Sequence, residues 1–323
     1  MKSFLRLLVT LLFLNICHFE SNGQKVLRVN NDPKINAPYR TLQDAHDAAV
    51  NGDIIQIEGS QDTYTGGLVC TKKLTITGTG YLLKENAIKS DIWTSNVSGT
   101  LAFKEGSSGS IIQGISGGSI GIQVSNILIR RNSGVTISFT APTITGTTSD
   151  SIVIMQNWAT SLSCSYNARI LIKNNVLTGL SLYKDAIAVI QNNIFTYNVS
   201  AYNSTLVNNI QSGAYDNGAS LINCTFSNNI STTKTFGDLD GNKSNIDLTT
   251  IFVGNGAKDV DFKLRANSPA IKAGLNGIDC GIFAGDTPYI MSGIPPIPTI
   301  TSFNSAGAAT KEISITISGK SNK

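Results

Sequence analysis

The chain has 323 residues, of which only 14% are charged, and its formal net charge is +4 at pH 7. So weak a positive balance argues against a nucleic-acid-binding protein, which concentrates basic residues on one surface. Hydrophobic residues make up 41% of the chain and glycine occurs 30 times. With Asn, Ser and Thr supplying most of the remaining polarity, this composition favours a β-rich, turn-rich globular protein over a helical one.

The first 23 residues contain the three parts of a secretory signal peptide. Lys2 and Arg6 form a basic region, residues 7–14 form a short apolar region, and Ser21-Asn22-Gly23 supplies small residues for cleavage. The apolar run is too short to cross about 30 Å of hydrocarbon. Lipidation at Cys17 is an alternative, although bulky residues precede it. We therefore predict a bacterial protein with a Sec-type signal, secreted or held at the cell surface, whose mature chain has no transmembrane segment.

An apolar-x-apolar-x-x-Asn motif repeats through the middle of the chain. Its copies occupy residues 127–132, 152–157, 170–175, 188–193 and 204–209, with a decayed copy at 220–225. A second motif, apolar-Ser-apolar, follows the first four copies at residues 137–139, 162–164, 180–182 and 199–201. Two short strands in each unit of about 18 residues, separated by Asn-rich turns, are typical of a β-solenoid. Leucine-rich repeats would instead need a leucine at each consensus position and a helix on the return path.

The paired asparagines have a structural explanation. They occur as Asn174-Asn175, Asn192-Asn193 and Asn208-Asn209. When turns stack in register, like side-chain amides can hydrogen-bond along the stack, and Asn tolerates the left-handed backbone of a tight turn. We therefore predict an Asn ladder rather than a set of ligand-binding amides.

Both ends of the repeat region add to this pattern. Residues 39–50 form an amphipathic segment that leads through the turn 51–53 into the strand 54–57, and Leu-Thr-Ile-Thr-Gly follows at 74–78. A helix at 39–50 would cover the open first rung of a solenoid. At the other end, the segment 261–271 contains Ser-Pro-Ala-Ile and leads into Gly-Ile-Phe-Ala-Gly at 281–285.

These segments and the Asn-ended repeats resemble the pectate-lyase-like β-helix superfamily over about residues 39–285, and the closing segment resembles that of secreted bacterial β-helix proteins. The resemblance implies an all-β, right-handed parallel β-helix over residues 24–285 with an N-terminal capping helix. It implies no single activity, because the superfamily includes lyases, glycoside hydrolases, epimerases and non-enzymatic surface proteins. We predict that residues 286–323 form a Pro-rich linker and a strand at 312–318, and that this tail docks on the solenoid.

Catalytic motifs of the superfamily are missing from the sequence. The Asn-Thr-Asp, Asp-Asp and Gly-His-Gly motifs of its polygalacturonases do not occur, and Arg169–Lys173 lies in an ordinary repeat. A lyase needs clustered acidic residues for Ca²⁺, whereas Asp150, Asp185 and Asp216 are isolated. His46, the one histidine after residue 23, falls on the predicted capping helix.

The leading hypothesis is therefore a non-catalytic protein that contacts polysaccharide or another surface protein. The alternative is a polysaccharide lyase or glycoside hydrolase with a scattered site. We expect no metal or cofactor, except Ca²⁺ if the protein is a lyase.

Three tyrosines mark a candidate binding surface. Tyr183, Tyr202 and Tyr215 follow the second strand, or its equivalent, in successive units, and Lys184, Asp185 and Asp216 lie beside them. Stacked rings could form a platform for sugar rings. Contacts between aromatic rings of neighbouring rungs would explain the same residues without a ligand.

Two further expectations follow from the repeat. The outward column of the first strand is apolar and needs a cover, which is the chain's own tail or else a partner protein or second copy. Its members are Leu128, Val153, Leu171, Val189, Thr205 and Leu221. Rungs are about 4.8 Å apart and a disulfide needs Cα atoms within about 7 Å. We therefore expect Cys70, Cys164, Cys224 and Cys280 to be unpaired.

Overall fold

A computed structural model describes residues 23–85, 93–140, 149–213, 220–305 and 315–321. Over these ranges the chain forms a parallel β-solenoid of about 8 turns, which confirms the predicted fold class. Residues 1–22 of the predicted signal, and most of the Pro/Gly/Thr-rich insertion that we assign to residues 141–150, lie outside the described residues.

Within the described ranges, twenty-one strands build the solenoid, numbered here in chain order. They are β1 (Val26–Val29), β2 (Ile54–Ile57), β3 (Leu68–Cys70), β4 (Thr75–Thr77), β5 (Thr100–Phe103), β6 (Ile111–Gln113), β7 (Ser119–Ile122), β8 (Leu128–Arg130), β9 (Thr136–Phe139), β10 (Ser149–Met155), β11 (Trp158–Cys164), β12 (Ala168–Lys173), β13 (Val176–Leu182), β14 (Ala186–Gln191), β15 (Ile194–Phe195), β16 (Val199–Tyr202), β17 (Thr205–Val207), β18 (Ile210–Gln211), β19 (Ser220–Ile222), β20 (Thr225–Ser227) and β21 (Ile230–Ser231).

These strands form two parallel sheets. Sheet 1 has ten strands in the order β1-β2-β4-β6-β8-β10-β12-β14-β17-β20. Sheet 2 has eleven strands and runs from β3 to β21, with β16 and β19 pairing at its side. Each rung therefore contributes one strand to sheet 1, turns, and then contributes to sheet 2, as the alternating repeats predict.

A column of isoleucines fills the interior behind sheet 1. The register places Ile55, Ile76, Ile112, Ile129, Ile154, Ile172 and Ile190 next to one another on seven consecutive rungs. Each of these side chains is fully buried. Burial of one such side chain stabilises a fold by about 1.5–3 kcal/mol, and the β-branched shape suits a pleated surface.

The Asn ladder forms at the turn between the two sheets. The amide Nδ2 of Asn132, Asn157, Asn175, Asn193, Asn209 and Asn229 donates in each case to the Oδ1 of the next ladder residue, at 2.9–3.0 Å, and the last acceptor is Asn242. The six donor side chains are fully buried. Each Oδ1 from Asn157 onward also accepts the backbone N–H of the preceding ladder residue. Because donors and acceptors are paired, the buried amides carry no desolvation penalty for a missing partner.

The last copy of the repeat differs from the predicted one. In sheet 1, Thr205 pairs with Thr225 and Leu206 with Phe226. Residues 220–222 belong instead to β19, where Leu221 pairs with Ala201 of β16. The prediction of a decayed copy at 220–225 was therefore wrong, and the true copy is 224–229, which ends at the ladder residue Asn229. This rung is longer than its predecessor, so extrapolating the 16-residue spacing selected the wrong frame.

The predicted capping helix is α1, Leu42–Ala48. Thr41 caps its N-terminus by accepting the Asp44 backbone N–H at 3.1 Å. The Lys72 ammonium group caps its C-terminus by donating to three backbone carbonyls at 2.8–3.0 Å, one of them that of His46. The His46 ring is 4% exposed, and its Nε2 accepts the Thr71 N–H at 3.1 Å. This histidine therefore fastens the helix to the first rungs.

The region after residue 243 folds back along the solenoid. Short 3₁₀ turns at Leu248–Thr250, Asp259–Phe262, Leu275–Gly277 and Met291–Gly293 interrupt it. It buries an outward column of apolar residues. Each of them directly follows a ladder asparagine and is the first residue of a sheet 2 strand: Trp158, Val176, Ile194, Ile210 and Ile230. Phe262 contacts the Trp158 ring edge-on with centroids 5.9 Å apart. These residues form a second apolar core outside the solenoid.

Residues 273–294, here called the return segment, run along the turns beside the Asn ladder. Side chains of the turn residues donate to its backbone carbonyls: Asn228 to Ala273, Asn174 to Ile282 and Ala284, Gln156 to Pro288, and Arg131 to Ile294, all at 2.7–2.9 Å. These turn residues all have a left-handed backbone, with φ between 54° and 58°. The residue that precedes each of these ladder asparagines therefore holds the return segment, whereas the asparagine itself builds the ladder.

The chain after residue 298 forms an antiparallel hairpin of β22 (Thr299–Ser305) and β23 (Ile315–Lys320). The predicted strand at 312–318 corresponds to β23, although residues 312–314 lie outside the described part, and its partner β22 was not predicted. Every described side chain of β23 is exposed. The C-terminal region docks through the return segment rather than through this strand.

The four described cysteines are free. Cys70 and Cys164 belong to one inward column of sheet 2, with Phe103, Ile122 and Phe139 on the rungs between them. At about 4.8 Å per rung, these four steps separate the two cysteines by more than twice the reach of a disulfide. Among the described residues, no helix is long and apolar enough to span a membrane.

Candidate functional site

The outward column of sheet 1 consists of Leu128, Val153, Leu171, Val189, Thr205 and Thr225, with Thr225 in the place predicted for Leu221. Leu128, Val153 and Leu171 are half-buried, and Val189 is 46% exposed. The region after residue 243 covers the turns and the column that begins at Trp158, so the cover that we expected from the tail lies over a different apolar column. The outward column of sheet 1 is therefore a weakly apolar strip on the surface.

Two of the predicted tyrosines lie on neighbouring rungs of sheet 2. Ser181 pairs with Ser200, where the pairing of β13 with β16 ends, and Tyr183 and Tyr202 each follow two positions later. Tyr202 in turn pairs with Ile222 of β19. Tyr183 is 48% exposed, Ile222 is 45% exposed and Tyr202 is half-buried. These three residues on neighbouring rungs are here called the aromatic row.

Ile222 is the member of this row that sequence reasoning missed. Tyr215 was assigned to this position, and both Tyr215 and Asp216 lie outside the described residues. The signal that could have identified Ile222 is the frame of the last repeat, because the copy at 224–229 moves the preceding strand to 220–222. The rings of Tyr183 and Tyr202 make no aromatic contact with each other, so ring stacking between rungs does not account for them.

Small hydroxyl side chains flank the aromatic row. Ser138, Ser163, Ser181 and Ser200 stand next to one another on four rungs and face outward, as the apolar-Ser-apolar motif predicts. Lys184 and Asp185 are exposed beside Tyr183, and the Lys184 ammonium lies 5.8 Å from the centre of the Tyr183 ring. Asn203 donates to the Lys184 carbonyl at 2.9 Å, which fixes this loop against the next rung. The surface therefore combines flat apolar rings with hydrogen-bonding groups.

A cleft of about 550 Å³ opens at the other end of the solenoid. It lies where the loops after β1, β2 and β4 leave the stack, before the tight Asn turns begin. Polar side chains provide most of the lining, together with one indole and one aliphatic side chain: Asn30, Asp32, Gln56, Glu58, Ser60, Gln61, Thr79, Trp93 and Ile35. No sequence motif pointed to this cleft, because three separate loops form it.

Hydrogen bonds hold the polar lining of the cleft in place. Arg28 forms an ion pair with one oxygen of Glu58, and Asn30 donates to the other at 3.0 Å. Asn30 is 3% exposed and Ser60 is 5% exposed. The Thr79 hydroxyl donates to the Trp93 carbonyl at 3.0 Å, and the Lys84 ammonium lies 4.8 Å from the Trp93 ring centre. The cleft is therefore preformed around a carboxylate and an indole.

Within the described ranges, no three or more His, Cys, Asp or Glu side chains form a group that could hold a metal ion. Of the acidic residues singled out in the sequence, Asp150 forms an ion pair with Arg169 at 2.9 Å and Asp185 is exposed. The cleft brings together two carboxylates, Asp32 and Glu58.

No protein-family model matches the chain, and no curated protein matches it either. The fold defines the class of protein, a parallel β-helix closed by its own C-terminal region. The likeness to the pectate-lyase-like superfamily stays a resemblance carried by residues 39–285.

Proposed function

We propose that this chain is an exported, non-catalytic protein that binds a polysaccharide chain along the aromatic row of sheet 2. The carrying observation is that Tyr202 pairs with Ile222, that Tyr183 and Tyr202 each follow two positions after the paired serines Ser181 and Ser200, and that a column of serine hydroxyls lies beside them. The C–H faces of a sugar ring pack against an aromatic ring, and its hydroxyl groups need donors and acceptors nearby. A stack of equivalent rungs presents both at regular intervals, as a repeating polymer requires.

A polysaccharide suits this surface better than a protein partner does. Protein interfaces bury a compact apolar centre within a patch of about 800 Å² per partner. The aromatic row is one side chain wide, and serine hydroxyls adjoin it. Lys184 and Asp185 carry opposite charges beside Tyr183, so the local charge favours neither acidic nor basic polymers. A neutral chain that lies along the solenoid axis fits this geometry.

Affinity electrophoresis tests the proposal. The chain from Gln24 onward is run through gels that contain xylan, glucomannan or pectin, and its migration is compared with that in a gel without polysaccharide. We expect a neutral polysaccharide to retard the protein, and Tyr183→Ala with Tyr202→Ala to lower the retardation at least fivefold. Val189→Ala, an equally exposed apolar residue on sheet 1, serves as the matched control and leaves retardation unchanged.

A turnover assay on the same polysaccharides, with and without Ca²⁺, tests the non-catalytic part. It follows new reducing ends and unsaturated products. Formation of product from any of them would contradict this part and favour the lyase or hydrolase alternative. Retardation that is equal for the double tyrosine variant and the unmodified chain would remove the aromatic row from the mechanism, and a protein partner would then be sought.

A further inference from the structure

The geometry points to a second binding site on this chain, in the cleft formed by the loops after β1, β2 and β4, which takes one or two units of a neutral saccharide. This site goes beyond the proposed function, since it shares no residue with the aromatic row. At about 550 Å³, the cleft has the volume typical of small-molecule pockets, about 300–1,000 Å³. It therefore suits a chain end or a disaccharide rather than a length of polymer lying along the solenoid.

The lining has the chemistry of a sugar site. Trp93 and Ile35 supply apolar surface, and Trp93 is half-buried, so its ring is held in position yet still lines the cleft. Lys84, 4.8 Å from the ring centre, stabilises the indole by a cation–π contact. The side-chain amides of Gln56 and Gln61 can each donate and accept hydrogen bonds, whereas the Thr79 hydroxyl is held by the Trp93 carbonyl and Ser95. Sugar hydroxyls need both kinds of partner.

Two carboxylates set the specificity. A carboxylate is an acceptor only and offers about four lone-pair positions. Arg28 and Asn30 occupy part of that capacity in Glu58, and the backbone N–H of Lys34 donates to Asp32 at 2.9 Å. The remaining positions can accept sugar hydroxyls through charge-assisted hydrogen bonds. Among the described residues, the charged side chains of the lining are Asp32 and Glu58. Arg28 neutralises Glu58, whereas Asp32 forms no ion pair with a described residue, so Asp32 would repel the carboxylate of a uronic acid.

The site is built before the ligand arrives. Asn30 is almost fully buried, its Nδ2 donates to Glu58 at 3.0 Å, and its Oδ1 accepts the backbone N–H of Asp32 at 2.9 Å. Asn31 donates to the carbonyl of Asp62 at 3.1 Å and so ties the first loop to the second. Because these loops are cross-linked, little conformational entropy is lost on binding.

The two tryptophans of the chain allow a direct test. Trp93 lines the cleft and Trp158 contacts Phe262 on the far side of the solenoid turns, so Trp158→Phe leaves the cleft indole as the one fluorophore of its kind. This variant is titrated with cellobiose, maltose, lactose and mannobiose, and with digalacturonate as the charged comparison. We expect a saturable change of emission with at least one neutral disaccharide, and binding of digalacturonate that is at least tenfold weaker. Calorimetry on the unmodified chain provides a second readout that needs no fluorophore.

Substitutions in the cleft then locate the site. Gln61→Ala and Asp32→Ala, both at positions near the surface, are expected to raise the dissociation constant at least tenfold, whereas Tyr183→Ala with Tyr202→Ala leaves it unchanged. The inference is overturned if no neutral disaccharide binds in either assay, if digalacturonate binds as tightly, or if both cleft variants bind like the unmodified chain. Disaccharide binding with no retardation by polysaccharide would support the cleft and reject the aromatic row, so the two failures are distinguishable.

Discussion

The phenolic hydroxyls of Tyr81 and Tyr289 hydrogen-bond to each other across 208 residues of chain. Tyr81 follows β4 near the beginning of the solenoid, and Tyr289 belongs to the return segment near its end. Both rings are buried, and the backbone N–H of Tyr81 also donates to the Ser292 carbonyl at 2.8 Å. This pair therefore fastens the C-terminal region to the early rungs.

The tyrosine pair predicts a loss of stability at alkaline pH. Burial raises the pKa of Tyr81 and of Tyr289 above the ordinary value, which is about 10 in an unfolded chain. The unfolded state thus loses these protons first, so the stabilisation is complete below pH ~10 and is lost as the pH rises towards the folded pKa. The free energy of unfolding should fall by up to about 1.4 kcal/mol per pH unit for each tyrosine.

Denaturant unfolding between pH 8 and pH 11 measures this loss. In the double variant Tyr81→Phe, Tyr289→Phe, the part of the fall of unfolding free energy with pH that these two tyrosines cause should disappear. This variant is nevertheless less stable than the unmodified chain at pH 8. An identical slope for the double variant and the unmodified chain would show that the pair does not control alkaline unfolding.

A single substitution in the Asn ladder should be costly. Asn193 donates to the Ile172 carbonyl and to Asn209 Oδ1 and accepts from the backbone and side chain of Asn175. Asn193→Ala leaves these buried groups without hydrogen-bond partners. Each such group costs about 1–3 kcal/mol if the surrounding structure does not rearrange to satisfy it. We therefore expect the free energy of unfolding to fall by at least about 3 kcal/mol.

The adjacent residue provides the matched control for the ladder. Asn192→Gly keeps the left-handed turn and removes a single long hydrogen bond of 3.4 Å to the Gly281 carbonyl. Chemical denaturation should show a loss below about 1 kcal/mol for this variant. Equal losses for the two variants would mean that the turn conformation, rather than the ladder, determines stability.

Much of the solenoid was predictable because each rung obeys the same local rule. An inward aliphatic residue, a turn and a buried Asn recur, so Asn157, Asn175 and Asn193 could be placed from the sequence alone. The prediction failed at Asn229, where the rung is longer than the one before it. There the 16-residue spacing selected the wrong frame, whereas the inward-facing residues Cys224 and Phe226 mark the correct one.

The C-terminal closure and the cleft were not predictable in the same way. The apolar residue after each ladder Asn, as in Trp158 and Val176, does signal an outward column in need of a cover. Nothing local identifies the region after residue 243 as that cover, since its hydrogen bonds join residues such as Arg131 and Ile294, 163 positions apart. The cleft likewise depends on three loops that meet only in the folded chain.

Thiol labelling should report on the docking of the return segment. Burial raises the pKa of the Cys280 thiol to about 12, whereas Cys224 is half-buried. In the native chain Cys224 should react before Cys280, because reaction needs an accessible thiolate. Asn174→Gly removes two 2.8 Å hydrogen bonds to the Ile282 and Ala284 carbonyls. This change should accelerate Cys280 labelling at least about fivefold through local opening.

The control for this labelling experiment is Asn203→Gly. Asn203 also has a left-handed backbone, with φ 47°, but its side chain donates to the Lys184 carbonyl, away from the return segment. Peptide mapping by mass spectrometry gives the labelling rate of each cysteine. If Asn203→Gly accelerates Cys280 as much as Asn174→Gly does, the effect reflects loosening of the whole solenoid rather than release of the return segment.

Extending the aromatic row should strengthen polysaccharide binding. Ile222 is 45% exposed and pairs with Tyr202 in register, so Ile222→Tyr adds a third ring without filling the core. A surface substitution of this kind changes stability by less than about 0.5 kcal/mol, while an additional ring contact contributes about 0.5–1.5 kcal/mol. Retardation by the bound polysaccharide should therefore rise about two- to tenfold in affinity electrophoresis.

Val189→Tyr, on the opposite sheet, adds the same ring at an equally exposed position. If both variants strengthen retention equally, the polymer recognises exposed aromatic surface in general and the row of sheet 2 has no special role.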